Sequence, residues 1–353
     1  MAVQPLLSSL SSELTAGYLD DFSLGGPEQV VARDVDTVIT EGSKLGLHLN
    51  FDKCELFQHG GYQVQSSILN SFIPVHKQDA ALLGAPLFCV SALDEALADS
   101  CLELSSAIER LNTIEAHYAL VLLRCSFSAP KIQYLLRCSP CVGHASLGEF
   151  DSLLRAGISR ITNSNLSDSQ WLQASLPVRN GGLGVRRVSS LALSAFLASA
   201  AGTLILQDQV LLGSNSAPDS FVTVFQSVWT DTYSQPLPDQ PASSKQSTWD
   251  ERAIQADIDT AWNSAADNYN RARLTAVSAP HSGDWLHVRP ISACGLKLDN
   301  EAIRVAVGLR LGVSLCHPHD CPCGELVDAT GIHGLSCKLA FGRMTRHHLV
   351  NDI

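Results

Sequence analysis

Between Leu93 and Leu111, apolar side chains return every three or four residues: Leu97, Cys101, Leu104, Ile108 and Leu111 form one continuous stripe. Asp94, Glu95 and Arg110 fall on the opposite face. A stripe of that period predicts a long helix with one side against a core, and it commits the middle of the chain to helix packing. Similar spacing predicts further helices at about 115–125, 146–162, 187–207 and 250–278. A tight glycine-rich connection, Asn180-Gly181-Gly182-Leu183-Gly184, precedes the third of these. With 353 residues, 45% of them hydrophobic and 17% charged, the chain has enough apolar material for two or three cores.

The first hundred residues read differently. Leu14–Leu19 and Phe22–Leu24 suit two short strands joined by a turn through Asp20 and Asp21. Pro27 fits the first turn of a helix whose apolar positions are Val30, Val31, Val35, Val38 and Ile39, with Gly46 as its C-terminal cap. Leu47–Asn50 alternates like a strand, and Leu82–Val90, apolar around Gly84 and Pro86, suggests a bent strand or a hairpin. Residues 233–249, rich in Pro, Ser and Gln, read as a linker. The expected fold class is therefore α+β, mostly helical.

Two ligand clusters carry the chemistry. Adjacent carboxylates at a hairpin tip, Asp20 and Asp21, can bind a hard cation such as Mg2+, although an Asp-Asp pair in a turn is as readily a solvated tip. Near the other end, Cys321, Cys323, His333 and Cys337 have the spacing C-x-C-x9-H-x3-C, a donor set sufficient for one tetrahedral Zn2+. Cys316, His317 and His319 lie close enough in sequence to compete as ligands.

The eleven cysteines are odd in number and clustered, and the first residues lack a charged n-region followed by an apolar run. A reducing compartment is expected, nucleus or cytoplasm, with no secretion. The longest apolar stretch, Leu191–Leu206, is interrupted by Ser194, Ser199 and Thr203, and no membrane span is expected from it. The net charge of −11 disfavours tight general binding to nucleic acid and leaves only local basic patches for that role.

Three blocks occur in a telling order: Tyr18-Leu19-Asp20-Asp21, then Gly46-Leu47-His48-Leu49-Asn50-Phe51-Asp52-Lys53-Cys54-Glu55-Leu56, then Leu82-Leu83-Gly84-Ala85-Pro86-Leu87. They resemble the later part of the polymerase palm in reverse transcriptases of non-LTR (LINE-like) retrotransposons. The Cys/His cluster followed by Arg343 and Arg346 resembles the zinc knuckle of the members that carry a restriction-like endonuclease. The resemblance implies a partial palm of antiparallel hairpins plus a helix at 1–92 and a helical thumb at 93–232. It implies a linker at 233–249, a linker helix at 250–284 and the zinc-knuckle region at 285–353.

By the same resemblance Asp20 and Asp21 are catalytic Mg2+ ligands, and Lys53 stands near the incoming triphosphate. Arg124, Lys131, Arg137, Arg179, Arg186, Arg187, Arg343 and Arg346 would contact phosphates of an RNA template and a DNA primer or target. A third palm carboxylate, the fingers and the nuclease core are not found. The chain is therefore expected to be truncated at both ends and inactive by itself as an RNA-directed DNA polymerase unless another chain complements it. The alternative is a non-catalytic, zinc-dependent module that binds nucleic acid or protein.

Overall fold

The stripe that starts at Leu93 is a helix, and its five apolar positions, Leu97 to Leu111, are all buried. The computed structural model describes residues 3–339 except 20, 59, 61–62, 89–90, 211–219 and 241. Along the chain come α1 (Gln4–Leu7), β1 (Leu14–Tyr18), β2 (Asp21–Gly25), α2 (Glu28–Lys44), β3 (Glu55–Phe57), β4 (Ile73–Val75), β5 (Ala81–Leu82) and β6 (Ala85–Pro86). There follow α3 (Ser91–Leu111), α4 (Ala116–Leu122), α5 (Ala129–Cys138), α6 (Ala145–Ile161), α7 (Asp168–Ala174), α8 (Val188–Val210) and α9 (Ser220–Tyr233). The last elements are α10 (Gln246–Ser264), α11 (Asn268–Val277), α12 (Asn300–Leu311), β7 (His319–Asp320), β8 (Leu326–Val327) and α13 (His333–Ser336). The fold is α+β and mostly helical, and its strands among the described residues form two-stranded sheets only.

The chain divides into two compact units. One comprises residues 97–136, 141–194 and 249–353. In it Leu104, Leu120, Leu123, Ile132, Phe150, Leu154, Ile158, Ile303 and Val307 are all buried. Each such side chain contributes about 1.5–3 kcal/mol by leaving water. Gly157 of α6 lets Ile108 approach: a Cβ there would stand 3.2 Å from the isoleucine side chain. After α4 the chain adds one π turn, Leu123–Phe127.

A polar hub ties the glycine-rich loop of this unit to α12. Arg310, buried, donates to the carbonyls of Gly182 (3.0 Å), Ser282 (3.1 Å) and Val178 (2.8 Å). Gly182 is required by close approach, because a Cβ would lie 2.0 Å from the Leu176 carbonyl oxygen. Asp151, also buried, accepts from Val188 N (2.6 Å) and from the Ser189 hydroxyl (2.5 Å), holding the first residues of α8. Burial nonetheless pushes its carboxyl above the usual range.

The other unit comprises residues 1–96, 137–140 and 195–248. β1 and β2 pair as the expected antiparallel hairpin, with Tyr18 opposite Asp21. Asp34 of α2 fixes the chain leading into it, accepting from Ser11 N (2.8 Å), Ser12 N (2.6 Å) and Ser12 Oγ (2.6 Å). Phe196, Phe221 and Phe225 meet edge to face, and Trp229 is buried beside Tyr233.

Several expectations are corrected. Leu47–Asn50 is not a strand; the chain there leaves α2 irregularly, and Asn50 caps a 3-10 turn at Phe51–Lys53. The palm-like region is not built from antiparallel pairs alone, since β3 and β4 run parallel. The single helix expected over 250–278 is two helices, α10 and α11, because the Asp267 carboxylate caps a new N-terminus through Asn270 N (2.7 Å). The expected linker is also shorter: α10 already starts at Gln246, and Trp249 is buried. The sequence pattern does not mark α1, α5, α7, α9, α12 or α13. α8 also extends beyond the apolar stretch seen in the sequence; it is long and apolar enough to cross a membrane by length and composition only, a test that a core helix also passes, and half of its apolar window is buried in the protein.

Candidate metal centre

β7 and β8 form a small antiparallel hairpin, with His319 opposite Val327 and Asp320 opposite Leu326. Cys321 and Cys323 sit in the turn that joins them. Cys321 N donates to Glu325 O (2.9 Å), and Gly324 N donates to Cys321 O (2.8 Å). Gly324 takes φ +90°, a left-handed conformation open to glycine at little cost, and this reverses the chain just after the second cysteine. The return path is tied at Leu315 N to Ala329 O (2.7 Å), and an Asp328–Thr330 turn leads to α13. The Thr330 hydroxyl on Asp328 (2.6 Å) holds that carboxyl below its ordinary range. α13 then carries His333, and Cys337 N closes on His333 O (2.8 Å).

The outcome is a convergence of four side chains. Cys321 Sγ lies 3.5 Å from Cys337 Sγ, and Cys323 Sγ lies 3.1 Å from His333 Nε2. All four ligand atoms lie within 4.8 Å of one another. Ligands around one tetrahedral zinc stand roughly 3.5–3.8 Å apart, given bonds near 2.1–2.3 Å, and small side-chain adjustments bring these four atoms to that spacing, so the cluster could hold such an ion. Three thiols and an imidazole match the soft-to-borderline character of that ion. The Cys323 amide draws the Cys321 thiol downward, but desolvation and the crowding Cys323 and Cys337 sulfurs outweigh it and the net shift is upward. The competing candidates point elsewhere. Cys316 Sγ donates to Asp328 O (3.2 Å), and His319 Nδ1 pairs with His317 O (2.9 Å).

The carboxylate turn is different. Tyr18, Leu19 and Asp21 are exposed, Leu19 adopts φ +56°, and Asp20 lies outside the described residues. Among the described residues, the group of three or more His, Cys, Asp or Glu that can surround an ion is the Cys/His cluster, and Asp21 joins no such group. Lys53 is exposed on its 3-10 turn.

The expected phosphate contacts are distributed widely. Arg186 donates to Asp250 (2.6 Å) and Arg187 to Asp257 (2.5 Å), with all four side chains largely shielded from solvent. Burial raises the Asp250 carboxyl, against the pull of Arg186. Lys131 pairs with Glu103 (2.6 Å), and Arg137 reaches Gln246 (3.4 Å). Arg124 sits on the π turn with Nη1 buried and without a hydrogen-bond partner, and Arg179 follows Val178 in a 3-10 turn. Arg343 and Arg346 lie outside the described residues.

Sequence reasoning missed Asp34, His117, Asp151, Asp250 and Arg310. Asp151 had a readable signal, because it falls within the apolar stripe of Leu147, Phe150, Leu154 and Ile158. Arg186 lies 64 residues from Asp250, and the Arg310 partners lie 28, 128 and 132 residues from it, so no local pattern marks them. Comparison with protein-family models, with curated proteins and with solved structures finds no match to this chain.

Proposed function

We propose that this chain derives from the reverse transcriptase of a non-LTR retrotransposon and that its Cys/His element is a zinc knuckle serving nucleic-acid engagement. The observation that carries the reading is the order of the three sequence blocks, with Tyr18 and Asp21 paired across the turn of a hairpin. In that reading Asp20 and Asp21 hold Mg2+, which would polarise the reacting phosphate and activate the primer hydroxyl. Lys53 would balance charge on the triphosphate. RNA template and DNA primer or target are the partners, met inside the nucleus or cytoplasm.

A second reading is favoured by the Cys321, Cys323, His333 and Cys337 convergence: a zinc-dependent binding module without catalysis. Templated primer extension with Mg2+ tests for polymerase activity, and salt-titrated nucleic-acid binding tests the module. Extension by the full chain that disappears in both Asp20→Ala and Asp21→Ala establishes the polymerase. Absence of extension is the outcome expected of the chain by itself, and salt-sensitive retention of nucleic acid that is lost on zinc chelation supports the module, while no retention at low salt removes it.

A further inference from the structure

A second polar site lies away from the metal centre, among the ends of α7, α11 and α12. A cleft of about 140 Å3 is lined there by Ser169, Gln170, Gln173, Ser264, Asn270 and Arg273, with Leu274, Leu311 and Gly312 as its apolar side. No carboxylate lines it. The Arg273 guanidinium is held by neutral acceptors: Nε donates to Asn270 Oδ1 (3.2 Å), and Nη1 to Gln173 Oε1 (2.7 Å) and Arg310 O (2.6 Å). Gly312 permits this, since a Cβ there would come within 2.7 Å of Arg273 Nε.

Arg310 itself is a second guanidinium, and it too donates only to backbone carbonyls. Among the described residues no carboxylate comes within ion-pair distance of either. Asp267 acts on Arg273 from farther off, with its oxygens already accepting from Asn270 N and Nδ2 (2.7 and 2.8 Å). Arg273 is thus the cation at the cleft, held without a neutralising carboxylate, while Arg310 lies outside the lining with its guanidinium on the 178–182 loop and Ser282. Burial lowers both, Arg310 to about 10, and leaves them charged at neutral pH. Charged groups removed from water require a counter-charge, and the cleft offers room for one.

We propose that this cleft binds a phosphate group, with Arg273 as the principal contact and the Ser169 and Ser264 hydroxyls at its rim. A phosphate presents several acceptor oxygens on one anionic centre, which suits the donor fork of the Arg273 guanidinium. The group can belong to free phosphate or to a nucleic-acid backbone. The inference rests on neither reading of the function above.

The test is calorimetric titration of the full chain with inorganic phosphate and, separately, with a single-stranded RNA oligonucleotide, at constant ionic strength. Arg273→Gln removes the charge and keeps a polar side chain. Ser264→Asp leaves the interior untouched and puts an anion on the exposed rim. About a tenfold loss of affinity or more in both variants is expected. A loss for phosphate assigns a free-anion site, and a loss for the oligonucleotide alone assigns a backbone contact. Affinities unchanged by both substitutions, or no binding by the unaltered chain in either arm, would overturn the proposal. Zinc content should be equal in all three chains, which separates this readout from the metal centre.

Discussion

The two ligand clusters found in the sequence end in different physical states. The Cys/His cluster has its ligands spread over 17 residues and brings them together through a hairpin, a left-handed glycine and a short helix. The hairpin carrying Asp21 is formed just as locally, yet its tip points to solvent and Asp21 gathers no further ligands among the described residues. Local structure can complete a metal site when every ligand lies on the same turn-and-helix element. A site whose ligands come from separate strands depends on how those strands are packed.

If that contrast holds, zinc removal has the largest effect. Chelation, or Cys337→Ser, should take the bound metal from about one ion per chain to none and expose the amides of 315–337 to hydrogen exchange. Structural zinc in elements of this size contributes on the order of 10 kcal/mol to local folding. Unchanged exchange after complete metal loss would show that the hairpin and helix stand without the ion.

Arg186→Ala comes next. It leaves Asp250 largely buried without its cation, and denaturant unfolding should show a loss of about 3 kcal/mol. A neutral substitution would instead free Arg186 for an external phosphate, as the sequence suggested. Asp34→Ala should cost about 2 kcal/mol, because two backbone N–H groups and a hydroxyl lose their acceptor at the base of the β1–β2 hairpin. That loss would identify internal hydrogen bonding as what maintains the hairpin.

A smaller effect depends on pH. His117 is buried and accepts from Leu298 N through Nδ1 (3.0 Å), and burial lowers its pKa below the ordinary value. The unfolded chain therefore binds the proton more readily than the folded one. The stabilisation is fully present above about pH 6.5 and declines as the pH falls through the lowered folded value. Comparing unfolding of the unaltered chain and His117→Gln at pH 7.5 and 5.5 isolates it, with the gap narrowing at pH 5.5. Smallest of all, Asp21→Asn should shift stability by under ~0.5 kcal/mol and leave zinc content unchanged, since its side chain is exposed. A larger loss would reveal a role for the carboxylate within the fold.

Much of the fold was legible in period and punctuation. The α3 stripe, the β1–β2 hairpin, the β5–β6 turn around Gly84 and the helices near 116, 145 and 188 follow from side-chain spacing. Their neighbours within four residues already decide which face is apolar. Asp267 shows the limit of that reasoning: continuous helical periodicity concealed a break, because one capping carboxylate outweighs the weak preference to continue.

The zinc-type quartet was visible in the sequence for the same local reason, but not which of seven Cys and His residues would form it. Backbone pairing around the hairpin accompanies that choice: Leu315 N is tied to Ala329 O, Cys316 Sγ donates to the Asp328 carbonyl, and His319 Nδ1 pairs with the His317 carbonyl. Sequence alone, then, determined the helical class, the hairpins and the ligand types, since these rest on interactions between near neighbours. Tertiary packing alone decided that Arg186 and Arg187 face carboxylates of α10, that Arg310 is buried among backbone carbonyls, and that Arg273 stands among neutral acceptors beside an open cleft. A charged side chain's partner depends on which distant segment desolvates it, and the order of residues along the chain does not encode that in any local pattern.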